Sequence, residues 1–189
     1  MFARFPWANP RLAPTEKYSF DSELVKIQEY PDRRFSMEVH TILWPTDLSK
    51  NSIKAARHVE SLAEKYQAKV VLLYVGVDLT SHYGAYSYPS PQHVKHFQDW
   101  ELQQARKQLE AVCDQELKAC PNIELRLMQG DPAAEILKAV KTEKADLVVL
   151  TTHGRGHDEL DQKSADFGSV AKKVMANSRV PVHLINPFM

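Results

Sequence analysis

The chain has 189 residues, 24 basic and 24 acidic side chains, a formal net charge of +0 and a hydrophobic fraction of 43%. That length carries one domain with a proper core plus an appendage, and the cancelled charge gives no ground for nucleic-acid or other polyanion binding. No apolar run approaches the ~20 residues that cross a bilayer. Pro6, Asn9, Pro10 and Arg11 break the N-terminal stretch where a secretory signal needs a sustained apolar core, so a cytoplasmic address is expected. Cys113 and Cys120 fit neither a metal-ligand spacing nor a disulfide framework and read as two packed or surface thiols.

Residues 1–37 stand apart as an N-terminal arm. Pro6, Pro10, Pro14 and Pro31 interrupt any long element, while Phe2, Phe5, Trp7, Tyr18 and Phe20 supply aromatic anchors, with a short helix expected from Asp21 to Glu29. So many aromatics argue against simple disorder. The preferred reading is an irregular arm covering apolar surface of the domain or a partner, ahead of a binding arm.

Residues 38–189 form the domain. Val39, Thr41, Ile42, Leu43 and Trp44 make a β-branched and aromatic strand that ends at Pro45-Thr46-Asp47. A helix follows, with Ile53, Ala56, Val59, Leu62 and Ala63 at the helical period. Ala68 to Val75 is a second buried strand. The polar loop from Gly76 to His93 carries Tyr83, Tyr86 and Tyr88, which flank a planar ligand or pack on the arm or a second subunit. A long amphipathic helix spans Gln92 to Ala119, with Val94, Phe97, Leu102, Ala105, Leu109, Val112 and Leu117 as its apolar face. His93 and His96 on it lack a partnering carboxylate or cysteine and read as a solvated pair rather than a metal site. Ile123, Leu125 and Leu127 alternate with charge, the pattern of a half-exposed strand near a sheet edge. The turn Gly130-Asp131-Pro132 opens a helix that buries Ala133, Ile136, Leu137 and Val140.

The stretch from Ala145 to Ala176 organises the rest. Asp146 marks the entry to a buried strand, Leu147 to Leu150, which runs into Thr151, Thr152, His153, Gly154, Arg155 and Gly156, a turn whose backbone suits close approach to a ligand. Gly168-Ser169 then starts a helix with Val170, Ala171, Val174 and Met175. A strand end and a helix start brought together make an anion site, at the carboxyl edge where open α/β sheets place ligands. Pro181 to Ile185 is the last strand. Five strands alternating with four helices imply a doubly wound parallel sheet with helices on both faces. Asp47 on its strand-to-helix loop caps backbone N–H groups or accepts a hydrogen bond from a ligand's amine or hydroxyl.

ILWPTDLSKNS at Ile42, KVVLLYV at Lys69, GDPAAEI at Gly130, DLVVLTTHGRG at Asp146, GSVAKKV at Gly168 and VPVHLI at Val180 together resemble the universal stress protein family, over about Glu38 to Pro187. The resemblance implies an adenine-nucleotide-binding α/β fold of strand order 3-2-1-4-5, ATP or AMP as ligand, and a homodimer paired through the C-terminal strand. It assigns adenine and ribose contacts to Pro45, Thr46, Asp47 and Val75, with Leu150 beside them and Gly130 on the ribose side. It assigns phosphate contacts to His153, Gly154, Gly168, Ser169 and Val170, through their backbone N–H groups and the Ser169 hydroxyl. Two departures from the family's G-x-x-G, nine residues, G-[S/T] motif stand out. Thr151 occupies the place of the first glycine, and thirteen residues separate Gly154 from Gly168. Thr151 is unsuited to φ > 0 and could fill ligand space. The longer spacer carries Asp158, Glu159, Asp161 and Asp166, which repel phosphate unless a divalent cation such as Mg²⁺ intervenes or the loop swings outward.

Three functions follow in order: a nucleotide-binding stress-response module acting as a homodimer; a structural or signalling member of the same fold that works through dimerisation without nucleotide; and an enzyme, at most a slow ATPase. The third lacks a committed metal pair, and His153 and Asp47 are its only candidate catalytic groups. A side chain added at Gly154 is expected to block the ligand and leave the fold little changed.

Overall fold

The computed structural model describes residues 38–76, 90–120, 122–155 and 167–188. The arm, where a helix from Asp21 to Glu29 is expected, the three loop tyrosines and the acidic residues of the long spacer lie outside the described residues.

Continuous apolar runs make the strands β1 (Thr41–Thr46), β2 (Lys69–Gly76) and β4 (Leu147–Thr151), and the two alternating or short ones make β3 (Ile123–Gln129) and β5 (Val182–Ile185). All pair in parallel, in the order β3-β2-β1-β4-β5, so the central β1 lies between β2 and β4. The expected order and edge positions hold: β3 is half-buried along most of its length, whereas β1 is buried throughout. At the amino end of the sheet, the carboxylate of Asp146 accepts from the N–H groups of His40 (2.9 Å) and Thr41 (3.0 Å), fixing β1 beside the entry to β4.

Alternation along the strands sorts the core into two layers. Ile42, Trp44, Val70, Leu72, Tyr74, Leu147 and Val149 face α2 (Ala56–Tyr66) and α3 (Pro91–Glu116). Leu43, Val71, Leu73, Val148 and Leu150 face α4 (Pro132–Thr142) and α5 (Ser169–Asn177). Each helix contributes its apolar stripe: Val59 and Ala63 from α2, Ala105, Leu109 and Val112 from α3, Ala133, Ile136, Ala139 and Val140 from α4, and Val174 from α5.

Two expectations about the helices need correction. The first helix is divided into α1 (Lys50–Ile53) and α2, with a turn at Lys54 and Ala55; Ala55 caps α2 in αR geometry without a side-chain hydrogen bond. Ser49 caps α1 by accepting from the Ser52 N–H, so the one-turn α1 exists to turn the chain off β1. In α3 the apolar face does not extend to Phe97, which is 51% exposed beside an equally exposed Trp100, whereas Gln98 is buried. The helix has its buried face at Val94, Ala105, Leu109 and Val112, and the Phe97 and Trp100 rings lie against each other outside it, centroids 5.9 Å apart. His93 and His96 on the same helix are exposed, and Ser90 Oγ lies 3.0 Å from His93 Nδ1.

Candidate functional site

At the carboxyl ends of β1, β2 and β4, the starts of α4 and α5 come together around a cavity of about 360 Å³. The position follows from the strand order. Connections leave β1 and β4 toward opposite faces, and the crevice between them opens where the two chains part. Pro45, Thr46, Asp47, Val75, Leu150, Thr151, Gly154, Gly168, Ser169 and Val170 all line it. Of the residues expected at the site, Gly130 and His153 are not in its lining.

Gly130 has φ +144°, a conformation only glycine adopts readily, and its N–H donates to the Gly76 carbonyl at 3.0 Å. It turns the chain from β3 into α4, whose first turn Asp131 caps by accepting from the Ala134 N–H at 2.9 Å. His153 is buried; its Nδ1 lies 2.9 Å from Thr152 Oγ1 and its ring packs on Phe188, centroids 5.4 Å apart. The imidazole thus belongs to the seat of the C-terminal tail. Thr151 takes no strained backbone: among the described non-glycine residues, positive φ occurs at Leu48, Gln67 and Lys144. It ends β4 in ordinary strand geometry, paired with Ile185, and forms part of the cavity wall.

The floor is a clasp between two turns distant in sequence. Asp47 Oδ1 accepts from the Ser49 N–H at 3.0 Å and Oδ2 accepts from the Arg155 N–H at 2.6 Å. In return, the Arg155 guanidinium donates to the Asp47 carbonyl at 2.6 Å. Burial raises the Asp47 pKa, but hydrogen bonds from Ser49, Ser52 and Arg155 outweigh it and hold the carboxyl below the usual range. Gly154 is where the turns touch: a Cβ there would collide with Asp47 Oδ2. The expectation that a side chain at Gly154 leaves the fold undisturbed is therefore corrected; the missing Cβ is what lets the clasp close. Leu48, with φ 60°, takes up the turn between Asp47 and α1, its N–H held by Thr46 Oγ1 at 3.1 Å.

On the opposite wall Gly168 precedes α5 in extended geometry, its N–H donating to the Thr152 carbonyl at 2.8 Å. A Cβ on Gly168 would stand 3.2 Å from that oxygen, so the helix start is pressed against the end of β4. The side chains of Ser49, Ser90 and Asp131 cap α1, α3 and α4, whereas the N-cap of α5 is Gly168, which has no side chain, and no other described side chain caps that helix. Its first N–H groups therefore face the cavity with Ser169, Val170 and Ala171 in the lining, a focus of positive potential worth about half a charge. Leu73, Val75, Ile136 and Leu150 supply apolar walls. The combination of flat apolar surface, backbone donors and a few polar groups is that of a small-molecule crevice.

Sequence reasoning missed several lining residues. Ser52 is buried, with its Oγ 2.9 Å from Thr46 Oγ1 and donating to the Ser49 carbonyl at 3.0 Å. Tyr74 donates its hydroxyl to Glu101 Oε1 at 2.8 Å, and burial together with the Glu101 carboxylate raises the phenol pKa. Tyr74 is hidden in the sequence as one member of an apolar run, and Glu101 as one charge of a helix. Away from the cavity, Cys113 and Cys120 are free thiols packed on the core; burial, with the charge of Glu60, pushes Cys120 up to about 11. Among the described residues, no group of three or more His, Cys, Asp or Glu is placed to hold a metal ion, and no helix is long and apolar enough to cross a membrane.

A sequence model of the Universal stress protein family matches residues 38–186. A universal stress protein of Methanocaldococcus jannaschii is 31% identical over 144 residues, 76% of this chain and 80% of the relative. Among solved structures, the universal stress protein UspA from Lactobacillus plantarum superposes with a TM-score of 0.66 at 22% identity, over 79% of this chain and 99% of that one. A universal stress protein solved in complex with cAMP gives 0.50 at 20% identity, over 79% and 98% of the two chains. One from Archaeoglobus fulgidus in complex with dAMP gives 0.53 at 16% identity, over 80% and 100%.

Proposed function

The chain belongs to the universal stress protein family, and on that premise we propose that it is a stress-response module whose crevice binds an adenine nucleotide and which acts as a homodimer. One observation carries the ligand reading: the start of α5, whose N-cap Gly168 has no side chain, faces a cavity whose other walls include the apolar ends of β2 and β4. A purine ring fits between Val75, Ile136 and Leu150, and a phosphate fits the N–H groups of Ser169 and Val170, where unpaired donors and the helix dipole favour an anion. Gly154 and Gly168 let backbone close around the crevice, the first against Asp47 and the second against Thr152. Relatives of the same fold solved with cAMP and dAMP support an adenine ligand.

The dimer reading rests on β5, which pairs with β4 on one side and is the sheet's edge on the other. The free side of an edge strand offers N–H and C=O groups with which a second copy of the same strand can pair. Isothermal titration with AMP and with ATP, with and without Mg²⁺, tests the ligand. Saturable one-to-one binding and a raised melting temperature are expected, and no heat and no shift at millimolar nucleotide would reject it. The reading that dispenses with nucleotide and keeps the dimer would then stand.

A further inference from the structure

Among the described residues, three charged side chains line the cavity: Asp47, Glu101 and Arg155. Among the described residues no lysine lines it. Arg155 is already committed, its guanidinium donating to the Asp47 carbonyl at 2.6 Å. Glu101 is held by the Tyr74 hydroxyl at 2.8 Å, and its second oxygen lies 3.7 Å from where a Cβ on Gly76 would stand, at the carboxyl end of β2. Asp47 stays ionised at neutral pH, because the hydrogen bonds it accepts outweigh its burial. Asp47 and Arg155 offset each other in the clasp, which leaves Glu101 as the uncompensated side-chain charge of the described lining, beside the starts of α4 and α5, each worth about half a positive charge.

We propose that the cavity selects adenine ligands with at most one phosphate group, adenosine or a mononucleotide, over triphosphates, and that Glu101 sets this preference. The inference rests on the adenine-nucleotide reading above. One phosphate can sit on the N–H groups of α5, whereas further phosphates add charge that Glu101 repels. In a water-like dielectric, two further ligand charges at ~8 Å from one carboxylate weaken binding about fivefold. Glu101 is the discriminating residue because, among the described residues, its carboxylate accepts from the Tyr74 hydroxyl and from no backbone group, and a glutamine there keeps an oxygen for that hydrogen bond.

The test is isothermal titration of the full chain with adenosine, AMP and ATP at low ionic strength in the presence of EDTA, for the wild type and Glu101→Gln. The wild type is expected to bind AMP at least about fivefold more tightly than ATP. Glu101→Gln should narrow that ratio by about the same factor, chiefly by tightening ATP, and ~0.15 M salt should shrink the wild-type gap. Equal or tighter ATP binding by the wild type, or an unchanged ratio in a folded Glu101→Gln protein, overturns the proposal. If Glu101→Gln does not fold, the wild-type ratio and its salt dependence decide. Failure of the wild type to bind any of the three overturns the adenine reading itself, and this inference with it.

Discussion

Adding a single methyl group at Gly154 should break the contact between the turns after β1 and β4. The new Cβ of Gly154→Ala would meet Asp47 Oδ2, the atom that accepts from the Arg155 N–H at 2.6 Å. Something must yield, and the carboxylate is the movable partner. A hydrogen bond to a charged group contributes about 1.5–3 kcal/mol, so the substitution should cost about 2 kcal/mol and lower Tm by about 4–8 °C in a chain of this size. The collision requires both partners. Asp47→Ala should cost a similar amount alone, while Gly154→Ala added to it should cost less than about 0.5 kcal/mol, because the methyl then enters vacated space. Urea denaturation of the wild type, both single variants and the double variant supplies the cycle, read from the midpoint at constant m-value. A coupling near zero, with the two losses simply adding, would refute the clasp.

Other consequences can be checked on the same material. Because the folded Asp47 pKa lies below its ordinary value of 3.8, its contribution to stability is present above that pH and is lost as pH falls through the folded pKa. The stability difference between wild type and Asp47→Asn in acid titrations should therefore hold at neutral pH and shrink only below about pH 4. Burial, Arg57 and His183 lower the His58 pKa from 6.5, so the folded state resists its protonation and loses stability as pH drops below that value; His58→Gln should flatten the pH dependence of Tm in this window. Thr151→Gly should destabilise the protein by about 0.5–1 kcal/mol in urea, because the threonine sits in ordinary strand geometry where glycine is worse. Val182→Glu on the edge strand should yield monomers by light scattering, and retained dimers would place the interface elsewhere.

The sheet was legible because fully buried parallel strands leave apolar runs no other element explains: Leu147 to Leu150 and Ala68 to Val75 each became a strand with both faces covered. Helix details were less so. The apolar period reads straight through Lys54 and Ala55, where the chain turns, and Phe97 fits the period of α3 yet lies outside its buried face. At the site, glycines and strand ends were readable because they answer to local backbone geometry. The clasp was not: Asp47 and Arg155 lie 108 positions apart, and nothing near either residue names the other. Tyr74 and Glu101 escaped for a related reason, since a tyrosine in an apolar run reads as core and a glutamate in a helix reads as solvated face. The His153 ring packs against Phe188, a contact that only the path of the C-terminal tail determines.

Amide chemical-shift mapping of the full chain titrated with AMP tests the central claim most directly. The account predicts saturable shifts concentrated at Val75, Thr151, Ser169, Val170 and Ala171, the strand ends and helix start around the cavity. Shifts absent at millimolar AMP, or gathered on another face, would contradict it.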